Sequence, residues 1–271
     1  MSALEAVLRH DRVVAVAALA IITALAWADL VWLANDMWMG GMDMTGFRMI
    51  PAGQGWMMPA GAPWQPIEFG CVFAMWVVMM IGMMTPSAAP MILIYARVGR
   101  QAAIAARPFA ASAWFAVGYL LAWTAFSLVA TSVQWTLERV TLLTPIMQSP
   151  DNMVGGTVLI VAGLYQWTPL KDTCLSHCRA PLTFIMRHGG FRREADRALA
   201  LGARHGLYCI GCCWAVMVLL FVGGVMNLLW IAALAVLVLL EKVVPFGRLI
   251  ARFVGIAFIM GGAWLLLHDA P

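Results

Sequence analysis

Residues 207–240 read LYCIGCCWAVMVLLFVGGVMNLLWIAALAVLVLL and contain no charged side chain. A membrane-spanning helix needs about 20 mostly apolar residues, so this run is too long for one crossing. The segment GGVMN at 223–227 lies in the middle of the run and carries a turn signal, because paired glycines and asparagine favour turns. The run therefore predicts two spanning helices, over 208–224 and 228–243.

The rest of the chain shares this apolar character. Of its 271 residues, 63% are apolar and 11% are charged, and the mean hydropathy is +0.87. Soluble proteins average about 45–50% apolar and about 25% charged residues, so the composition excludes a water-soluble domain and a disordered chain. Five further apolar runs predict spans over 12–34, 70–94, 111–133, 152–168 and 249–267. We expect an all-α, polytopic transmembrane helical bundle of about seven spans, as a single membrane domain over 1–271.

Lysine and arginine are divided unequally between alternate loops. Seven spans place 15 of these 17 residues on one side and only Arg48 and Arg139 on the other. Because cytoplasmic loops carry the excess of positive charge, the N-terminus is expected in the cytoplasm and the C-terminus outside. Residues 35–69 then form a Met- and Trp-rich extracytoplasmic loop. Residues 169–207 form a basic cytoplasmic loop with Cys and His, in which 192–204 predict a short surface helix with its charges on one face.

Five of the six cysteines fall in two short segments, CLSHC at 174–178 and CIGCC at 209–213. Both segments are expected at the cytoplasmic face, where thiols stay reduced, so a structural disulfide is disfavoured. Thiolates and imidazoles that converge from two elements suit a soft or borderline metal ion, although buried cysteine is also an ordinary packing residue. The candidate metal ligands are Cys174, His177, Cys178, His205, Cys209, Cys212 and Cys213.

Methionine forms a second sulfur-rich group, because residues 37–91 hold 13 of the 20 methionines. Within the predicted span 70–94, several methionines recur at helical spacing on one face. Thioether sulfur is a neutral soft ligand that suits Cu(I), and the alternative is that methionine serves as a flexible apolar filler. The candidate ligands in this span are Met75, Met79, Met80, Met83 and Met84.

The same span contains Pro86 and Pro90, which predict a break of the helix inside the membrane or a packing kink. Polar residues are rare in the predicted spans, and such residues are functional candidates by default. Those singled out here are Asp29, Gln166 and Glu241. The alternative for Asp29 is an interfacial position that reaches water. Glu241 and Lys242 are interpreted either as an interfacial ion pair or as groups that support the cysteine site.

Five segments of the chain resemble an uncharacterised bacterial family described as predicted metal-binding integral membrane proteins. They are MWVVMMIGMMTPSAAP (75–90), GLYQWTPLKDTCLSHCRAP (163–181), HGLYCIGCCWAVM (205–217), GVMNLLW (224–230) and EKVVPFG (241–247). The resemblance implies a membrane fold with a bound metal, and no established reaction. It implies a metal-binding role for the five clustered cysteines, with Gln166, Lys171 and Glu241 as motif residues of unassigned role. It also implies a multi-pass protein of the bacterial inner (cytoplasmic) membrane.

The leading functional hypothesis is transport or handling of a soft transition metal ion. Copper is favoured, with zinc or iron as alternatives, because thioethers on one side and thiolates on the other both suit Cu(I). The expected partners are the lipid bilayer, the metal ion, and a metallochaperone or other membrane subunits. Nucleic acid is not expected, because no basic patch is interleaved with aromatic residues. A membrane thiol–disulfide oxidoreductase and a structural subunit with a closed Cys–metal clamp are the alternatives, and the missing hydrolase and nucleotide motifs disfavour other enzymes.

Overall fold

The computed structural model describes residues 3–37, 47–52, 56–59, 61–104, 112–140, 152–191 and 194–268. These residues are almost entirely helical. Their helices are α1 (Ala3–Met37), α2 (Pro66–Ile104), α3 (Ser112–Arg139), α4 (Asn152–Tyr165), α5 (Pro169–Arg179), α6 (Pro181–Arg187), α7 (Ala195–Val218), α8 (Leu220–Gly223), α9 (Leu228–Val243) and α10 (Gly247–His268). One antiparallel hairpin joins β1 (Phe47–Met49) to β2 (Met57–Pro59), with Phe47 opposite Pro59.

Five helical segments of the described residues are long and apolar enough to cross a membrane: 13–37, 66–98, 112–139, 195–223 and 247–268. Helices α4 and α5 are bent by 64° at the break between them and make a sixth if the pair is one span. The predicted span 228–243 coincides with α9, but its 16 residues measure only about 24 Å. That length falls short of the roughly 30 Å hydrocarbon core of a bilayer. The described residues therefore support a helical membrane protein with five or six spans.

Helix α2 continues through Pro86 and Pro90, so the predicted break in this helix is wrong. A proline at position 86 cannot donate the backbone hydrogen bond that the carbonyl of Gly82 would otherwise accept. The indole Nε1 of Trp27 on α1 donates to that carbonyl at 3.3 Å instead. A neighbouring helix thus satisfies the freed carbonyl, and α2 keeps its helical backbone.

The helix predicted at 192–204 is longer than expected, because α7 runs unbroken from Ala195 into the apolar run. Ala198, Leu201 and Gly202 are buried, and a Cβ on Gly202 would collide with the backbone of Phe115 on α3. The charged residues occupy only the outer face of this first part of α7. Tertiary packing against α3 therefore extends a helix that the charge pattern alone would end.

Glycines bring the backbones of α4 and α10 into contact. A Cβ on Gly156 would lie 2.8 Å from the carbonyl oxygen of Gly262, and a Cβ on Gly262 would lie 2.5 Å from that of Gly156. Gly163 and Gly255 repeat this arrangement further along the same helix pair. Small residues at such crossings allow close packing of helices, which stabilises membrane bundles through van der Waals contact.

We expect Gly262→Ala to destabilise the protein, because the added methyl group forces α4 and α10 apart. Overpacking of this kind costs about 1–3 kcal/mol. The adjacent Gly261 is a matched control, since a Cβ there meets no atom within 4 Å. Thermal unfolding in detergent, followed by circular dichroism, measures both variants. Equal melting temperatures for Gly262→Ala and Gly261→Ala would contradict the close crossing.

The β-hairpin is attached to the start of α2 by a buried ion pair. Arg48 on β1 pairs with Glu68 on α2, with 2.9 Å between Nη2 and Oε2, and its Nη1 donates to the carbonyl of Ala62 at 2.8 Å. Beside this pair, Trp64 Nε1 donates to Glu138 at the end of α3 at 3.0 Å. We call this end of the bundle the hairpin end. Met39, Met42 and Met44 of the predicted outer loop lie outside the described residues.

Candidate metal centre

The five clustered cysteines lie on two helices that pack against each other. Helix α5 carries Cys174 and Cys178, and α7 carries Cys209, Cys212 and Cys213. Helix α5 starts sharply, because Pro169 occupies its first turn and the hydroxyl of the preceding threonine caps it by accepting a backbone hydrogen bond at 3.3 Å. We call the region formed by these five cysteines the thiol end.

One sulfur-to-sulfur contact at the thiol end joins the two helices. Sγ of Cys178 and Sγ of Cys212 are 4.0 Å apart, and every cysteine is a free thiol. Cys212 and Cys213 donate to the carbonyl of Cys209 at 3.1 Å and 2.9 Å. Cys174 packs on the backbone of α7, where a Cβ on Gly211 would come within 2.7 Å of its sulfur. The structure thus brings the predicted cysteines together, with Cys178 and Cys212 as the facing pair.

Cys209 has polar neighbours from two further helices, α9 and α3. Nζ of Lys242 on α9 lies 2.8 Å from its sulfur, and the hydroxyl of Tyr119 on α3 lies 3.1 Å from it. The Lys242 ammonium also donates to Oγ of Ser87 on α2 at 3.0 Å. Sequence reasoning did not single out Tyr119 or Ser87. Ser87 and Lys242 lie within 75–90 and 241–247, two of the segments that resemble the metal-binding family, so the resemblance could have pointed to them. No sequence signal pointed to Tyr119.

Three predicted motif residues form a buried polar group beside the thiol end. Nζ of Lys171 at the start of α5 lies 2.7 Å from Oε2 of Glu241 on α9, and both side chains are 1% exposed. The same ammonium donates to Oε1 of Gln166, which follows α4. The group therefore ties α5, the helix of Cys174 and Cys178, to the end of α9. Glu241 pairs with Lys171 in place of the predicted pair with Lys242.

The two predicted histidine ligands contact aromatic rings. His177 is half-buried, its Nδ1 lies 2.8 Å from the carbonyl of Thr173, and its ring stacks on Tyr208 with centroids 4.4 Å apart. His205 is buried, and its ring centroid lies 5.2 Å from that of Phe184. Both imidazoles thus belong to an aromatic cluster next to the cysteines. The remaining polar candidate, Asp29, is half-buried on α1.

The five predicted methionines of α2 lie inside the bundle, each 1% exposed or less. They are Met75, Met79, Met80, Met83 and Met84. We call them the methionine column, which spans about 14 Å along the helix axis. At the Met75 end of the column, Trp76 Nε1 donates to the buried Gln134 at 2.7 Å. At the Met84 end, the carbonyl of Met84 accepts a hydrogen bond from the hydroxyl of Tyr119 at 3.2 Å. The same hydroxyl also contacts Cys209.

The donor set discriminates between metal ions. Among the described residues, no three His, Cys, Asp or Glu side chains are arranged to hold one ion together. Structural zinc requires four such ligands. Cu(I) is softer and is satisfied by two thiolates. Two sulfurs bound at about 2.3 Å to one ion are at most about 4.6 Å apart, and Cys178 and Cys212 stand at 4.0 Å, so one ion could contact both. The two facing thiols therefore supply fewer ligands than a structural zinc site requires.

Comparison with known protein families identifies a match over most of the chain. The PpoB2 family, described as a copper chaperone, matches residues 73–265, which include the methionine column and all five clustered cysteines. No curated protein and no solved structure matches the chain. The matched region covers most of the chain, and its description agrees with the metal handling expected from the sulfur clusters. The protein belongs to the PpoB2 family of copper chaperones.

Proposed function

We propose that this protein is a membrane copper-handling protein that binds Cu(I) between Cys178 and Cys212. The observation that carries the proposal is the 4.0 Å approach of these two thiols from different helices, next to a buried column of thioethers. Thiolate and thioether sulfur are soft ligands, and Cu(I) is an ion that both kinds of sulfur suit. Membership in a copper-chaperone family supports copper as the cargo.

The methionine column is proposed as the route by which copper reaches or leaves the thiols. Its last member, Met84, and the sulfur of Cys209 share the hydroxyl of Tyr119 as a neighbour. Neutral thioethers bind Cu(I) more weakly than anionic thiolates, because they lack the charge that attracts the ion. Copper would therefore move along the column without becoming trapped and would be held at the thiol end.

The charge distribution supports an orientation with the thiol end in the cytoplasm. The segment 169–207 alone, which includes α5 and the start of α7, carries seven of the 17 lysines and arginines, and the segment 35–69 carries only Arg48. The reducing cytoplasm keeps the facing thiols available for a metal ion. In this orientation the hairpin end faces outside a bacterial inner membrane. A metallochaperone or another membrane subunit would exchange copper at the thiol end.

Copper loading of the purified protein tests the proposal. Wild-type protein in detergent is titrated with Cu(I) against a colorimetric Cu(I) chelator, and bound metal is counted by elemental analysis. We expect Cu(I) to be retained against the chelator and not to be displaced by excess Zn(II). Protein that retains no Cu(I) under reducing conditions would overturn the proposal.

The double variant Met79→Leu/Met83→Leu tests the column separately. Leucine keeps the apolar volume and removes the sulfur, so folding should be preserved. In vesicles containing the protein, we expect copper transfer across the membrane to slow by about tenfold, the effect of about 1.4 kcal/mol, while Cu(I) affinity at the thiols is unchanged. Met153→Leu is the control, because this methionine is 62% exposed on α4. An unchanged rate in the double variant would show that the column serves only packing.

A further inference from the structure

A pocket of about 200 Å³ lies on the surface of α5 and α6. It is bordered by polar as well as apolar side chains, which are Ser176, His177, Ala180, Thr183, Phe184 and Arg187. His188 directly follows this lining in the chain, and its ring packs on that of Phe184 with centroids 4.4 Å apart. Both histidines are half-buried. Two imidazoles therefore lie together at a place that water can reach.

The same kind of hydrogen bond orients both rings. Nδ1 of His177 lies 2.8 Å from the carbonyl oxygen of Thr173, four residues earlier. Nδ1 of His188 lies 2.8 Å from the carbonyl oxygen of Phe184, again four residues earlier. A carbonyl oxygen can only accept, so in the neutral ring Nδ1 carries the hydrogen and Nε2 carries the lone pair. Histidines that bind metal ions commonly donate their other ring nitrogen to a backbone carbonyl in this way.

The spacing of the two rings allows one ion between them. Their centroids are 6.2 Å apart. Two imidazoles that bind one ion at about 2.0–2.1 Å, through nitrogens about 1.2 Å from the ring centre, have centroids at most about 6.5 Å apart. A tetrahedral angle between the two bonds would shorten this separation to about 5.2 Å. The observed spacing is nearer to the linear arrangement, which is a geometry that Cu(I) accepts with two ligands.

We propose that His177 and His188 form a second Cu(I) site, at the surface and separate from the facing thiols. Imidazole nitrogen suits copper. Binding forms two nitrogen–copper bonds to neutral rings and transfers neither a proton nor an electron. Neutral imidazoles lack the charge of a thiolate, so this site holds the ion less tightly than the thiols do.

The position of the site gives it a role in copper exchange, and this role rests on the proposed function. The three cysteines of α7 are each 1% exposed or less, so an ion that arrives from a partner protein meets an accessible ligand before it meets them. His177 directly precedes Cys178, one of the facing thiols. The ring of His177 also stacks on Tyr208, the residue before Cys209. The imidazoles therefore lie between the surface and the buried sulfur atoms.

The closing experiment identifies the ligands of copper in the purified full-length protein. The protein is dialysed against Cu(I) under reducing conditions, bound copper is counted by elemental analysis, and its ligands are identified by X-ray absorption at the copper edge. We expect part of the copper bound by the wild type to have nitrogen ligands. His177→Phe/His188→Phe keeps the packing of both rings and removes their nitrogens. This variant should lose one copper ion per chain together with the nitrogen signal, and it should keep the sulfur-bound copper.

His268→Phe is the matched control. Nδ1 of His268 makes the same hydrogen bond, to the carbonyl oxygen of Trp264 at 3.0 Å, but its ring packs on an indole. Copper content and the nitrogen signal should therefore be unchanged in this variant. His188→Gln alone leaves the stacked ring of His177 in place and should also reduce the nitrogen signal, in case the double variant does not fold.

The outcomes separate this inference from the proposed function. Copper bound through sulfur alone in the wild type, or nitrogen ligands that persist in His177→Phe/His188→Phe, would overturn the imidazole site and leave the thiol site standing. Nitrogen-bound copper without sulfur-bound copper would instead overturn the proposed function. The exchange role predicts that the thiols of the double variant load with Cu(I) more slowly than those of the wild type, and equal loading rates would overturn that role.

Discussion

Replacing Cys178 and Cys212 with serine is expected to abolish Cu(I) binding at the thiol end. Serine keeps the size of the side chain and a hydrogen-bond donor, but its hard oxygen is a poor ligand for a soft ion. The loss removes both ligands, so the affinity should fall by more than the roughly 10–100-fold caused by removing an outer-shell partner. Competition with a Cu(I) chelator measures the affinity of the double variant and of each single variant.

The control for this experiment is Cys71→Ser on α2, because Cys71 lies outside the thiol end and is half-buried. Copper bound with wild-type affinity by Cys178→Ser/Cys212→Ser would place the ligands elsewhere. Counting titratable thiols with and without a reductant, in the absence of copper, tests the oxidoreductase alternative. A thiol count that changes with the reductant would favour redox chemistry over a metal site.

The second large effect is expected from Lys171→Met, which leaves the carboxylate of Glu241 buried without its partner. Breaking a buried ion pair from one side costs about 3–5 kcal/mol, because the remaining charge is uncompensated. Replacing both partners with apolar residues of similar size is often nearly neutral. We therefore expect Lys171→Met/Glu241→Leu to recover most of the lost stability. Unfolding in detergent, monitored by circular dichroism, measures the single and double variants.

An exposed ion pair supplies the comparison. Arg197 and Glu194 are 3.9 Å apart and more than half exposed, so Arg197→Met should cost at most about 1 kcal/mol. If the single Lys171 variant is as stable as the wild type, the buried pair does not hold α5 against α9. If the double variant is no more stable than the single one, Gln166 or the packing around it carries the effect.

Helix formation and membrane class could be predicted from the sequence, because both depend on local apolar length. Each predicted span overlaps a helix, and α2 and α7 differ from the predictions for a tertiary reason. The break at Pro86 is absent because Trp27 from α1 satisfies the carbonyl of Gly82. The charged start of α7 stays helical because Gly202 packs on the backbone of α3. Partners from distant parts of the chain are invisible to local patterns.

The candidate site, like the fold, could be predicted from the sequence only in part. The spacing of the cysteines predicted that α5 and α7 present thiols to each other, and the spacing of the methionines predicted one face of α2. Neither spacing predicted that Cys178 and Cys212 face each other, or that both predicted histidines contact aromatic rings. Such contacts depend on the rotation of one helix relative to another, which a period along one chain segment does not specify.

By itself, the sequence determined that this is an apolar helical chain with thioethers gathered in one region and thiols in another. Only the tertiary structure decided which sulfur atoms meet and which charges surround them. Ser87 and Lys242 are 155 residues apart in the chain, yet their side chains lie 3.0 Å apart. The physical reason is that burial of α2, α3, α7 and α9 against one another removes water from their polar groups. Each buried group must then find its partner on another helix.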